Sequence, residues 1–325
     1  MGSKQNLRRH PVPYSVRQLL IVNSFPPSTA TDFLQSVNPR VSADAEWSSE
    51  CQGLGFYWPN TEGGNLADIC NDHTNGSYEY VAISCLNFTD DGGIIVPPYC
   101  TTLGPDIDTC KGLGIKVFLS LFGSPQLTPE TAPIVAAGIC EAFLNDSSGP
   151  LGATVNGIDF HFRSEDGSNN GLDILAQALR DDCTPYLSGA PLCQIPDYYL
   201  DAAIRTGVFD YVWVQFFGDP SCEYSPANPF NLFASWFGWY SYIGEYNTTL
   251  FLGLTEDSAA EGFIPCDPEL RVIVSLLEIF FPKFGGIMML EGKFYCPLSS
   301  AKIRSYVNSD VLAYGRKSMN KFQAI

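Results

Sequence analysis

From Cys51 onward the chain is a succession of short apolar runs separated by polar loops and helical stretches. Runs rich in Val, Ile, Phe and Tyr fall at Leu54–Trp58, Tyr80–Leu86, Ile115–Leu121, Val155–Phe162, Tyr186–Leu192, Tyr211–Phe217, Leu250–Leu254 and Gly286–Leu290. Each has the length of a strand. Helix signals follow most of them. Thr128-Pro-Glu opens a helix to about Asn145, with proline just inside its start. Pro196-Asp opens another that ends near Gly207, and Asn231–Tyr242 is aromatic and amphipathic. Asp267-Pro-Glu opens Leu270–Phe281, and Ser300–Tyr314 closes the chain. Strand–helix units in this order predict an α/β fold, a (β/α)8 TIM barrel, as a single domain over residues 51–320. The competing architecture is a doubly wound open sheet, although no G-x-G-x-x-G follows the first strand. Residues 1–50 carry Pro, Ser, Thr and Arg with few aromatics, and read as a disordered or targeting extension.

The fourth run is unusual. Ile158, Phe160 and Phe162 alternate with Asp159, His161 and Arg163, so the apolar set faces one way and three ionisable groups face the other. Ionisable groups on an inner strand face are costly unless they belong to a site. In a barrel of this kind, sites form at the C-terminal ends of the strands. His161 and Arg163 fall there.

Composition narrows the classes. No run approaches the roughly 18 apolar residues of a membrane span. The chain of 325 residues has a formal charge of −17, which repels phosphate and argues against nucleic-acid partners. The 11 cysteines, with no C-x-x-C pair, point to an oxidising compartment rather than a zinc or redox motif. Sequons begin at Asn75, Asn87, Asn145 and Asn247 and lean the same way. Near the N-terminus, Leu19–Val22 is too short for a secretory apolar core of about 7–15 residues, so no convincing signal peptide is visible. His10, His73 and His161 lack ligand spacing, so no metal or cofactor is expected. G-x-S-x-G is absent, and G-K-F at Gly292 is no P-loop.

Several segments together resemble one family. They are G-L-G-F-Y-W from Gly53, K-G-L-G-I-K-V-F-L-S-L-F-G from Lys111, N-G-I-D-F from Asn156 and A-P-L-C-Q-I-P-D-Y-Y-L from Ala190. The most specific runs from Arg205 to Ser225, and G-G-I-M-M-L from Gly285 with K-F-Y from Lys293 completes the set. The chain resembles plant class III, hevamine-like chitinases of glycoside hydrolase family 18 over residues 53–315. The resemblance implies a barrel and a D-x-x-D-x-D-x-E signature on its fourth strand. Asn156 stands at the first Asp, Asp159 at the second, His161 at the third and Arg163 at the catalytic Glu. Phe217 stands at the family's Tyr. No Trp occupies Leu290–Gly292, where this chain is also one residue longer. The resemblance also implies Cys70–Cys110 and Cys193–Cys222 bridges. It makes Cys100 half of a third bridge without its partner, and leaves Cys51, Cys85, Cys140, Cys183, Cys266 and Cys296 unassigned.

In that family the Glu protonates the glycosidic oxygen while Asp and Tyr hold the substrate's N-acetyl group, whose carbonyl attacks the anomeric carbon. Arginine does not give up its proton, so Arg163 cannot be the acid. A fixed guanidinium also opposes an oxocarbenium-like centre. The expectation is a chitinase-like pseudoenzyme that binds N-acetylglucosamine-containing glycans or inhibits another glycosidase. The alternatives are an active endochitinase using a displaced Glu165, or an acidic seed storage or calcium-binding protein. Ligand-binding candidates are Tyr57, Trp58, Asp159, His161 and Gln215. Trp236, Trp239 and Tyr240, at helical spacing, read as core rather than a sugar platform. The bland reading of His161 and Arg163 is that they fill a lost site, paired with Asp159 or other carboxylates. Gly123–Thr131 and Gly218–Asn231 are the loops an inhibitor would use. The protein is expected to be monomeric, without nucleic acid or membrane, and extracellular or vacuolar.

Overall fold

The computed structural model describes residues 53–296, apart from 61–63, 74–76, 90–92, 124, 126, 146, 148, 164–170, 184–185 and 293–295. Nine strands are present among the described residues: β1 (Leu54–Trp58), β2 (Tyr80–Phe88), β3 (Ile94–Ile95), β4 (Lys116–Gly123), β5 (Gly157–Phe160), β6 (Tyr186–Gly189), β7 (Tyr211–Gln215), β8 (Thr249–Thr255) and β9 (Phe284–Glu291). Eight of them run parallel in the order β1-β9-β8-β7-β6-β5-β4-β2, and β1 pairs with β2 to close the ring. Helices such as Gly104–Gly112, Leu172–Cys183, Phe230–Tyr242 and Arg271–Phe280 lie between successive strands. The fold is a (β/α)8 barrel.

Period-two alternation sorts the strand residues into two cores. Val81, Ile83, Val117, Leu119, Val212, Val214, Leu250 and Leu252 face outward and pack under the helices. Tyr80, Ala82, Phe118, Trp213, Phe251 and Met288 face inward and fill the barrel with interlocked rings. Tyr211 stacks on Trp213 with centroids 5.5 Å apart, and Phe118 meets the same indole edge-on at 5.7 Å.

The hairpin strand β3 was not anticipated. It is two residues long and pairs antiparallel with β2 beyond the barrel, too short for any periodicity to register. The expected helix from Thr128 begins instead at Ala132, with Pro133 in its first turn, and passes into a π-helical turn, Cys140–Asn145. Thr128 belongs to a preceding turn, where its hydroxyl accepts from the amides of Glu130 and Thr131. The stretch from Pro196 yields only the short helix Asp201–Ile204. The extension, Cys51 and the closing Ser300–Tyr314 segment lie outside the described residues.

Five disulfides tie the outer layer: Cys70–Cys110, Cys85–Cys100, Cys140–Cys183, Cys193–Cys222 and Cys266–Cys296. Cys100 therefore has a partner after all. It is Cys85, which occupies the register shift between Ser84 and Leu86 on β2 and so turns outward toward the 3-10 turn Pro98–Thr102. No helix among the described residues is long and apolar enough to cross a membrane.

Candidate functional site at the barrel mouth

β5 and the three residues that follow it carry the ionisable residues toward the mouth in three steps. Asp159 comes first and is completely buried. Its Oδ1 accepts hydrogen bonds from Ser188 Oγ at 2.7 Å and Trp213 Nε1 at 2.7 Å, and its Oδ2 accepts from Ser120 Oγ at 2.6 Å. The donors come from β6, β7 and β4, so one carboxyl group ties four strands together. Burial pushes its pKa above the usual carboxylate range, opposed by these three bonds and by the charge of Arg163. Asp159 is thus a fully buried strut below the mouth, with both carboxyl oxygens already engaged. It pairs with neither His161 nor Arg163.

His161 follows one pleat higher, about 6.6 Å along the strand. Its ring lies between Tyr57 and Phe122, with centroids 5.2 and 4.9 Å away. The amide of Gln215 stands 3.5 Å from Nε2, while Nδ1 is buried without a hydrogen-bond partner among the described residues. Burial, and then the charge of Arg163, push its pKa down to about 3. The imidazole is neutral at ordinary pH.

Arg163 occupies the third step. Its Nη1 donates to Phe162 O at 3.0 Å, its Nη2 donates to Ala190 O at 3.2 Å, and its guanidinium lies 5.3 Å above the Tyr199 ring. No carboxylate lies within ion-pair distance of it among the described residues. Asp197 is the largest charge raising its pKa against burial, yet its oxygens accept from the amides of Leu192, Tyr199 and Leu200. Ala190 O also accepts from Gln215 Nε2 at 2.7 Å, so it holds the two side chains side by side. Glu165 lies outside the described residues.

The remaining candidates separate. Tyr57 points into the mouth, half-buried. Trp58, its neighbour, points outward, is 1 % exposed, and donates its Nε1 to Gly64 O. Adjacent strand residues cannot share a face, which removes Trp58 from the platform. Trp236 and Trp239 are fully buried on the inner face of the helix Phe230–Tyr242. Asn156 lies at the opposite, N-terminal end of β5. There its Oδ1 accepts from Val117 N and its own amide donates to Val117 O, which prolongs the ladder. Phe217 and Leu290 belong to the inner apolar cluster, 8 % and 4 % exposed. The loop after β8 presses on Phe217: a β-carbon at Gly262, whose φ is +84°, would lie 2.5 Å from its Cα. β9 has a register shift at Leu290. Leu254 pairs with Met289 but Thr255 pairs with Glu291, leaving Leu290 unmatched. Phe122, Tyr199 and the Ala190 carbonyl were missed by sequence reasoning. Phe122 was accessible to it, since it shares inward parity with Phe118 and Ser120.

The described residues include one His/Cys/Asp/Glu group close enough for a cation, Cys193, Asp219 and Cys222, but its two sulfurs are bonded to each other.

No family model matches the chain. An acidic endochitinase of Cicer arietinum is 38% identical over 267 residues, covering 75% of this chain and 88% of the relative. The chain belongs to the plant acidic endochitinase family, class III of glycoside hydrolase family 18. Solved structures agree. The ICChI chitinase of Ipomoea carnea superposes with a TM-score of 0.64 at 34% identity, covering 78% of this chain and 98% of that one. The tamarind chitinase-like lectin gives 0.62 at 27% identity over 74% and 94%. A xylanase and α-amylase inhibitor protein of Scadoxus multiflorus gives 0.61 at 29% identity over 73% and 92%. Within this fold family, relatives named as chitinase, lectin and inhibitor stand side by side.

Proposed function

We propose that this chitinase-family barrel binds an N-acetylglucosamine-type oligosaccharide at its mouth without hydrolysing it. The observation that carries the reading is Arg163. At the position of the family's proton donor stands a permanent cation, held by two main-chain carbonyls and a tyrosine face. The two helpers are absent as well. His161 is a neutral imidazole and Phe217 has no hydroxyl to offer. The half-buried Tyr57 and Phe122 supply apolar ring surface for a sugar, and Nδ1 of His161 and Arg163 supply polar contacts. Residues 51–320 form the binding barrel and residues 1–50 an extension. Five disulfides support an extracellular or vacuolar setting.

The test combines turnover and calorimetry on one chitin oligomer. The protein binds it without cleavage, and Tyr57→Ala weakens binding about tenfold, or about 1.4 kcal/mol. Cleavage that disappears in Glu165→Gln would restore the enzyme reading. Inhibition of a xylanase or amylase by a chain that binds no glycan would move it to the inhibitors. The loop from Gly218, pinned by Cys193–Cys222 and by Asn231 Nδ2 donating to Pro220 O, is then the surface to alter.

A further inference from the structure

The sequons do not stand alike in the fold. Asn75 lies outside the described residues. Asn87 sits at the mouth end of β2, with its backbone in register with Ile95 on one side and Phe122 on the other. Its Oδ1 crowds the backbone of Gly123, where a β-carbon would lie 2.7 Å away. Asn87, Asn145 and Asn247 are all exposed, but only Asn145 and Asn247 lie outside the sheet, in the connections that lead into β5 and β8. Those connections are on the N-terminal face of the barrel, opposite the mouth.

Asn247 is the better placed of the two. Its loop is fixed without its help: Lys283 Nζ donates to the carbonyls of Ile243, Gly244 and Tyr246, and Thr248 Oγ1 donates to Phe209 O. The Asn247 amide makes no hydrogen bond among the described residues and stands exposed in a bend, two residues before the half-buried Thr249 of the sequon. Among the described residues nothing competes for it, and its place in the connection into β8 keeps a large polar substituent away from the mouth.

We propose that Asn247 carries an N-linked oligosaccharide, with Asn145 as a second acceptor, and that Asn87 stays bare. The inference rests on the secretory setting given above. The donor is a polyprenyl-pyrophosphate-linked oligosaccharide. Its anomeric carbon forms a bond to Nδ2 of Asn247, the bond from that carbon to pyrophosphate oxygen breaks, the amide gives up one proton, and polyprenyl pyrophosphate leaves.

The full chain is produced in plant cells, and the medium, vacuolar and cytosolic fractions are purified separately. Each is treated with peptide N-glycosidase in ¹⁸O-water and mapped by mass spectrometry. Labelled aspartate is expected at position 247 in the secreted or vacuolar protein. Asn247→Gln should lose the mass of one glycan and keep the wild-type melting midpoint and oligosaccharide affinity. Protein from the medium or vacuole with an unlabelled Asn247 overturns the inference and leaves the compartment reading standing. Protein found only in the cytosol, unlabelled, overturns both. Label at Asn87 in place of Asn247 reverses the assignment of faces.

Discussion

Asp159, on β5, and His161, just past its end, are two residues apart and face the same way, yet they inhabit different regions. Around Asp159 every polar atom is matched, by Ser120, Ser188 and Trp213, and nothing reaches solvent. Around His161 and Arg163 the matching is partial. Among the described residues one imidazole nitrogen is unpaired, and the guanidinium leans on main-chain oxygens rather than on an acid. A carboxyl group that ties four strands together is required by the barrel whatever the mouth does. Residues one and two pleats higher are held by fewer bonds, so their identity can change without loosening the sheet. The lower region therefore speaks for the fold, and the upper one speaks for the function.

The largest effect that would break this contrast is a return of chemistry. Arg163→Glu alone should leave the protein without turnover, since His161 and Phe217 still lack the groups that hold an N-acetyl function. The triple change His161→Asp, Arg163→Glu, Phe217→Tyr should raise cleavage of a chitin oligomer at least about 100-fold over the wild-type background, the lower end of what general acid catalysis supplies. The effects of the three need not add. Turnover by the single variant would mean that the mouth was closer to a working site than its geometry indicates. A folded triple variant with no turnover would move the block to the Leu290 bulge in β9.

Next in size is the cost of disturbing the lower region. Asp159→Ala strands two hydroxyls and an indole N–H inside the barrel, and should lower stability by about 3 kcal/mol or more. The Trp213 indole can only donate, so Asp159→Asn, which keeps an acceptor oxygen, should cost distinctly less. Urea denaturation of both variants checks the ranking. Arg163→Gln, in the upper region, should stay within about 1 kcal/mol of wild type. If Arg163→Gln proves the more damaging change, the division between the two regions fails.

Much of this fold could be read from residues alone, because a barrel strand buried on both faces is a continuous apolar run, and the runs at Leu54–Trp58 and Leu250–Leu254 match β1 and β8 closely. Strand ends erred in both directions: the runs over β5, β6 and β7 were read too long, and those over β2, β8 and β9 too short. The run to Phe162 ends as a strand at Phe160, with one further backbone bond from His161 N to Leu121 O before the chain leaves the sheet. The site was legible as a list of altered positions but not as an arrangement. Pairing His161 or Arg163 with Asp159 assumed that residues sharing a face also touch, whereas the extended backbone separates His161 from it by about 6.6 Å and Arg163 by about twice that. Counting Trp58 with Tyr57 ignored the same geometry in the other direction. The partners of Asp159 were within reach, as Ser120, Ser188 and Trp213 all have inward parity on neighbouring strands. The Cys85–Cys100 bridge was not, because it depends on a register shift that no spacing records.

The smallest predicted effect sets the two regions against each other through pH. The pKa of His161 falls from an unfolded value of 6.5 to about 3 in the fold. Below pH 6.5 the unfolded chain therefore binds a proton that the folded chain refuses, and stability falls as pH falls from 6.5 toward 3. At 1.36 kcal/mol per unit, roughly 2 kcal/mol should be lost through this group by about pH 5. Asp159 has the opposite sign. Its folded pKa lies above the unfolded 3.8, so between those values the folded chain holds the extra proton, and stability rises as pH falls. Denaturation curves at several pH values separate the two. His161→Gln should flatten the loss below pH 6.5, and Asp159→Asn should remove the gain without touching that loss. A His161→Gln variant with an unchanged pH slope would mean that the imidazole is already solvated in the native protein, and the mouth would then be open to water right down to the carboxyl group beneath it.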